Sequence, residues 1–140
     1  MENRALLEEA LKARKQSYCP YSKFAVGAAL LTADGTVFRG CNIESAAYSA
    51  TNCAERTAFF KAVSEGVTEF TAIAIVGGPV EKEPEEFCAP CGVCRQVMAE
   101  FCDPEIFRIV LMNGKGEIRE YLLKELLPLG FTSKALEHTP

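Results

Sequence analysis

Phe70-Thr71-Ala72-Ile73-Ala74-Ile75-Val76, bounded by Gly77-Gly78-Pro79, is an almost uninterrupted apolar run, the signature of a strand buried on both faces. Such a strand belongs at the centre of a sheet with helices on either side. Downstream, Cys91 to Phe101 has helical character, with Pro90 at or just before its first position, where a missing N–H costs nothing. Phe107 to Met112 then reads as strand. The link Asn113-Gly114-Lys115-Gly116 is too short for a crossover helix, so a strand at about Glu117 to Tyr121 should run antiparallel to its predecessor. Upstream, helix formers from Cys53 to Glu65 follow Asn52, a candidate N-cap, and stop at Gly66. Two β-prone runs, Phe24 to Leu31 and Thr36 to Asn42, flank Ala33-Asp34-Gly35 as a hairpin. Asn3 to Tyr18 places Leu7, Ala10, Leu11 and Tyr18 at helical spacing before Pro20. Leu122 to Leu127 and Ser133 to Glu137 suggest two short terminal helices, and Glu81 to Glu86, interrupted by Pro84, reads as a solvated loop. The expected fold is α/β: one domain over residues 1–140, a three-layer helix–sheet–helix sandwich around a mixed, about five-stranded sheet.

Composition narrows the function. The 140 residues are 49% apolar and carry a net charge of −4, which offers no basic footprint for a nucleic-acid backbone and favours a small-molecule substrate. The N-terminal MENRALLEEALKARK mixes acids and bases, unlike a secretory signal, and no apolar run approaches the ~20 residues that span a bilayer. A cytoplasmic protein without membrane or nucleic-acid partners is expected. In that reducing setting, seven cysteines at 19, 41, 53, 88, 91, 94 and 102 do not suggest a disulfide framework, so metal binding or thiol chemistry is the question. The single histidine, His138, lies two residues before the last. Ser-His-Asp, Cys-His and His-rich metal sites therefore lack a carrier, and any zinc site must be built from thiolates.

Cys91-Gly-Val-Cys94 opens a predicted helix and puts two sulfurs within about 60° of each other around its axis. Alone, that spacing fits half a zinc site, a redox dithiol or two core cysteines. Cys53 strengthens the metal reading, because it too sits at a predicted helix start, where partial positive charge favours the thiolate. Three thiolates leave one position of a tetrahedral zinc open, as in catalytic sites. A four-cysteine structural site adding Cys88 stays open, since Cys88-Ala-Pro-Cys91 repeats the spacing. Glu55, two after Cys53, is either a carboxylate facing the metal or an acid placed favourably in a helix's first turn; in mid-helix, residues two apart diverge by roughly 200°. Zinc with three thiolates is net negative, so a cation should draw charge from the sulfurs. Arg56, three after Cys53, is the candidate, with Gln96 as a partner orienting it; Arg95, four after Cys91, is the other arginine within reach.

Cys53-Ala-Glu55-Arg56, followed 34 residues on by Pro90-Cys91-Gly-Val-Cys94-Arg95-Gln96, resembles the zinc signature of small homotetrameric cytidine deaminases. Tyr18-Cys-Pro-Tyr-Ser-Lys-Phe24 with Val26-Gly-Ala-Ala-Leu-Leu31, Gly40-Cys-Asn-Ile-Glu44-Ser-Ala-Ala-Tyr48, and Glu125-Leu-Leu-Pro128 with Phe131 are similar to that family in order and spacing. The resemblance runs from about residue 5 to 137; Cys88 and Ala89 depart from its usual pattern. It implies one zinc ion per chain held by Cys53, Cys91 and Cys94, and Glu55 as the proton shuttle. It further implies that Phe24, Asn42 and Glu44 bind the nucleoside, the last two at the ribose hydroxyls, and that the Ala54 backbone helps to read the base. Ala46, Tyr48 and Phe131 would reach a neighbouring subunit's site in a homotetramer. The implied activity is hydrolytic deamination of cytidine and deoxycytidine to uridine and deoxyuridine, with release of ammonia, in pyrimidine salvage. Three rivals are a structural zinc module, which does not need Glu55; a thioredoxin-like dithiol, which does not need Cys53; and a related deaminase acting on another cytosine nucleoside.

Overall fold

The computed structural model describes residues 1–137. Five strands form one sheet: β1 (Phe24–Thr32), β2 (Val37–Cys41), β3 (Phe70–Pro79), β4 (Arg108–Met112) and β5 (Ile118–Leu122), in the order β2-β1-β3-β4-β5. The helices are α1 (Asn3–Arg14), α2 (Ala54–Ser64), α3 (Gly92–Phe101) and a single turn, α4 (Leu123–Leu126). Tyr48–Ala50 and Ser133–Leu136 are 3-10 turns. His138 lies outside the described residues.

β3 is central, as its apolar run requires. It pairs antiparallel with β1 and parallel with β4, and α3 supplies the crossover that the parallel pair needs. β5 runs antiparallel to β4 after a tight turn in which Asn113 N–H bonds to the Glu117 carbonyl and Gly116 takes φ +80°. The sheet is mixed for the reason that the short link anticipates.

Alternation along β3 divides the core into two layers. Ala72, Ala74 and Val76 face α1, where Leu6, Leu7 and Ala10 cover them. Ile73 and Ile75 face the α2 and α3 side, where Phe59, Met98, Phe107 and Leu123 are fully buried. Phe59 meets Phe70 edge-on at 5.1 Å and has Phe101 and Phe107 within about 6 Å. Truncating such a residue costs about 3–5 kcal/mol. Small residues on one face and large ones on the other let α1 lie unusually close: a Cβ at Gly27 would stand 2.1 Å from the Ala10 carbonyl oxygen.

Three boundaries differ from expectation, each through tertiary contacts. α1 ends at Arg14 rather than near Tyr18, and Arg14 turns its guanidinium onto the carbonyls of Ala25, Gly78, Pro79 and Lys82. Tyr18 instead forms a bridge with Ile43. β3 continues through Gly77, Gly78 and Pro79, because the glycines admit neighbours that a side chain would repel: Cys88 Sγ would lie 2.8 Å from a Cβ at Gly77, and Pro84 Cα 3.2 Å from one at Gly78. The acidic 81–86 segment is therefore anchored by a buried Pro84, with its charged residues exposed. The N-cap of α2 is Cys53, not Asn52, whose amide bonds to the Thr57 hydroxyl.

Candidate active site

Two helix N-termini meet at one point, and a cysteine caps each. Cys53 (ψ 157°) and Cys91 (ψ 166°) have extended backbones that turn into α2 and α3. Cys91 Sγ takes the place of a capping hydroxyl, accepting from Cys94 N–H at 3.5 Å. The sulfurs of Cys53, Cys91 and Cys94 all lie within 4.8 Å of one another, with Cys53 to Cys91 at 3.7 Å and Cys91 to Cys94 at 3.3 Å. Sulfurs each about 2.3 Å from a tetrahedral zinc stand about 3.8 Å apart, so the cluster has the size and softness that zinc takes. Cys88 stays outside this group among the described residues, held against β3 by the space at Gly77.

The electrostatics suit the same use. Hydrogen bonding from the Cys94 thiol, then from Arg56, pushes Cys53 down to about 5, while Cys94, as the donor of the pair, is raised. Arg56 Nη2 reaches Cys53 Sγ at 3.3 Å, placing a cation on the sulfur where negative charge collects. Gln96 does not orient it. Both ends of its amide are taken by the Phe131 backbone, and Arg56 Nε is buried without a hydrogen-bond partner among the described residues. Arg95 is no free surface charge either: it donates to the Pro90 and Leu126 carbonyls, each at 2.8 Å, tying α3 to the chain on both sides.

Glu55 is 4% exposed. Because Cys53 is the N-cap, in extended backbone before α2, the 200° divergence of mid-helix positions does not apply, and its charge acts on the Glu55 carboxyl in the first turn. Burial, then the charge on Cys53, raises the Glu55 carboxyl to about 7 in the metal-free site. Ala54, between them, is fully buried.

A bridge between Ile43 and Asn52 ties the segment that carries Asn42 and Glu44 to the residue before Cys53. Asn42, 8% exposed, receives the Val26 N–H on Oδ1 at 2.9 Å and donates from Nδ2 to the Phe24 carbonyl at 2.8 Å. One N–H and one lone pair of its amide are left to offer. Glu44 Oε1 accepts from the backbone N–H groups of Tyr21 (3.0 Å) and Ser22 (3.1 Å), and Oε2 accepts from the Ser22 hydroxyl. Those donors, the Ser22 hydroxyl foremost, hold the carboxyl of Glu44 below its usual range. Phe24 is part-exposed at the start of β1. Ala46, Tyr48 and Phe131 are exposed at the surface, Tyr48 79% and Phe131 60%. Sequence reasoning missed Ser22; its only signal was position, between Tyr21 and Phe24.

Residues 1–110 match the family described as the cytidine and deoxycytidylate deaminase zinc-binding region. The chain is 53% identical to a cytidine deaminase of Sporosarcina psychrophila, over 99% of its own length and 97% of the relative's. It is 52% identical to a cytidine deaminase of Halalkalibacterium halodurans, with 96% and 97% covered. Among solved structures, the cytidine deaminase of Burkholderia pseudomallei superposes with a TM-score of 0.84 at 50% identity, covering 94% of this chain and 100% of that one.

Proposed function

This chain belongs to the zinc-binding family of cytidine and deoxycytidylate deaminases, and we propose that it hydrolyses cytidine and deoxycytidine to uridine and deoxyuridine, releasing ammonia. The observation that carries this reading is a buried carboxyl, Glu55, beside three converging thiols on two helix N-termini. Zinc bound by Cys53, Cys91 and Cys94 would supply the Lewis acidity that makes water a nucleophile at neutral pH. Glu55 then does the proton work: its carboxylate takes a proton from the attacking water, gives it to N3 of the pyrimidine as C4 is attacked, and moves a second proton to the departing amino group. Arg56, by bonding to Cys53 Sγ, offsets charge that would otherwise weaken the metal's Lewis acidity.

Phe24 and the Ala54 backbone hold the base, while Asn42 and Glu44 take the sugar hydroxyls with the N–H and the carboxylate lone pair that their structural bonds leave free. The chains associate as a homotetramer in which Ala46, Tyr48 and Phe131 complete a neighbour's site. Supporting this are the exposure of Tyr48 and Phe131 and an apolar groove of about 600 Å³ lined in part by Phe60, Val93, Phe131 and Leu136. No helix among the described residues is long and apolar enough to cross a membrane. Unpaired cysteines among the described residues suit a reducing, cytoplasmic setting and a role in pyrimidine salvage. The test is the fall in cytidine absorbance with and without a zinc chelator, alongside sedimentation: turnover abolished by the chelator and restored by zinc is expected. Metal-independent turnover, or zinc-loaded protein without turnover, would refute the assignment.

A further inference from the structure

The assigned nucleoside-binding residues are not independent of one another, and the group that joins them is Ser22. Its hydroxyl donates to Glu44 Oε2 and accepts the Phe24 N–H at 3.1 Å. Its own N–H reaches Glu44 Oε1. The Phe24 carbonyl, at the other side of the same residue, accepts from Asn42 Nδ2. Phe24 is thus held at its N–H by Ser22 and at its C=O by Asn42, and Glu44 is held at both oxygens by Ser22. Between Ser22 and Phe24 the chain passes through Lys23 at φ +59°, the left-handed region that costs a side-chain-bearing residue about 1–2 kcal/mol. Lys23 N–H bonds to the Cys19 carbonyl, and its carbonyl accepts from Val80 N–H. The corner is held from outside as well as within.

We infer that Ser22 is a positioning residue that locks Glu44 and Phe24 into one nucleoside-recognising unit, and through Glu44 sets the preference for nucleosides bearing sugar hydroxyls. The inference rests on the proposed assignment of Phe24, Asn42 and Glu44 to the nucleoside. A carboxylate has about four lone-pair sites, and three donors occupy all but one. The remaining site, on Oε2, is aimed by the Ser22 hydroxyl. Without that hydroxyl Oε2 turns to solvent, and the acceptor meant for a sugar O–H is no longer preorganised. Phe24 N–H loses its partner in the same step, which loosens the aromatic ring against the base.

The test compares kcat/KM on cytidine with that on 2′,3′-dideoxycytidine, which has the same base and neither secondary hydroxyl, using the zinc-loaded wild type, Ser22→Ala and Ser22→Thr. The wild type is expected to prefer cytidine. Ser22→Ala should narrow that preference by about fivefold, the worth of one hydrogen bond, mainly through KM on cytidine, with one zinc per chain and a folded thermal transition. Ser22→Thr, which keeps the hydroxyl, should recover most of the preference. An unchanged preference in Ser22→Ala, or equal losses on both substrates, overturns the inference and leaves the deaminase assignment standing. A wild type that turns over both nucleosides equally overturns the sugar-binding reading of Asn42 and Glu44, and the inference with it.

Discussion

Gly40 lies where α2 crosses β2, and adding one methyl group there tests whether the sheet sets the position of the thiol cluster. An ideal Cβ at Gly40 would stand 2.3 Å from the Ala54 carbonyl oxygen and 2.6 Å from the Ala58 nitrogen, both backbone atoms of α2. No rotamer relieves such a contact. To reach ordinary van der Waals separation the helix start must retreat by about 1 Å. Ala54 sits between Cys53 and Glu55, so the retreat carries one metal ligand and the proton carrier away from Cys91 and Cys94, which ride on α3. The Cys53–Cys91 separation of 3.7 Å then exceeds what zinc can bridge. Gly40→Ala should lose about 2–3 kcal/mol of stability, a fall in Tm of roughly 10 °C at this chain length. It should bind less than one zinc per chain and lose about a hundredfold in kcat, the scale of a 1 Å misplacement. Thermal unfolding, metal analysis and the cytidine absorbance assay read the three effects. Gly92→Ala is the matched comparison: nothing lies within 4 Å of a Cβ there, and Gly92 opens α3. It should keep its zinc and change stability by less than about 1 kcal/mol. A Gly40→Ala protein with full zinc, wild-type kcat and wild-type Tm would refute the claim that β2 positions the cluster.

Other expectations follow from the same geometry. Glu55→Gln keeps the thiols and their caps and should retain zinc while losing most activity, about a thousandfold on the scale of general acid–base catalysis; turnover near the wild type would remove Glu55 from its role. In the metal-free protein, the Glu55 carboxyl rises from 4.5 to about 7 on folding. Its stabilising contribution is therefore complete below pH 4.5 and lost as the pH rises through 7, an effect of up to about 3 kcal/mol. Denaturant titrations of the wild type from pH 4 to 8 should show that loss relative to Glu55→Gln, and parallel profiles would contradict it. Cys88→Ala should leave one zinc per chain, since Cys88 packs on Gly77 outside the cluster; loss of the metal on that substitution would restore the four-cysteine site.

The legible parts of the fold are those set by local chemistry. The two-faced run Phe70 to Val76 placed β3, and a four-residue link was enough to orient β5 against β4. Cys53, Cys91 and Cys94 were visible as a metal set because spacing and predicted helix starts agreed. What spacing could not show was the role of the caps: Cys53 in extended backbone, one residue outside α2, brings it onto the side of Glu55. The end of α1 was misread because the Arg14 side chain answers to carbonyls 11 to 68 residues away. Gln96 was misread for a related reason, its amide being taken by Phe131, 35 positions on. Ser22 lies inside the Tyr18 to Phe24 stretch, but nothing in that stretch singles it out from its neighbours. Its importance lies in bonds to Glu44 and Phe24, partners on both sides of a hairpin.

The pairing of a cap on α2 with a cap on α3 also bears on the unfolded chain. An ion shared by Cys53 and Cys91 ties together positions 38 residues apart, as a covalent staple would. By loop-closure entropy, a link of that span is worth on the order of 4 kcal/mol. That is a sizeable part of the roughly 5–15 kcal/mol by which domains are stable. The staple is removable: chelation or thiol oxidation would release it without breaking the chain. Metal supply in the cell would then govern how long the protein survives proteolysis as directly as it governs turnover.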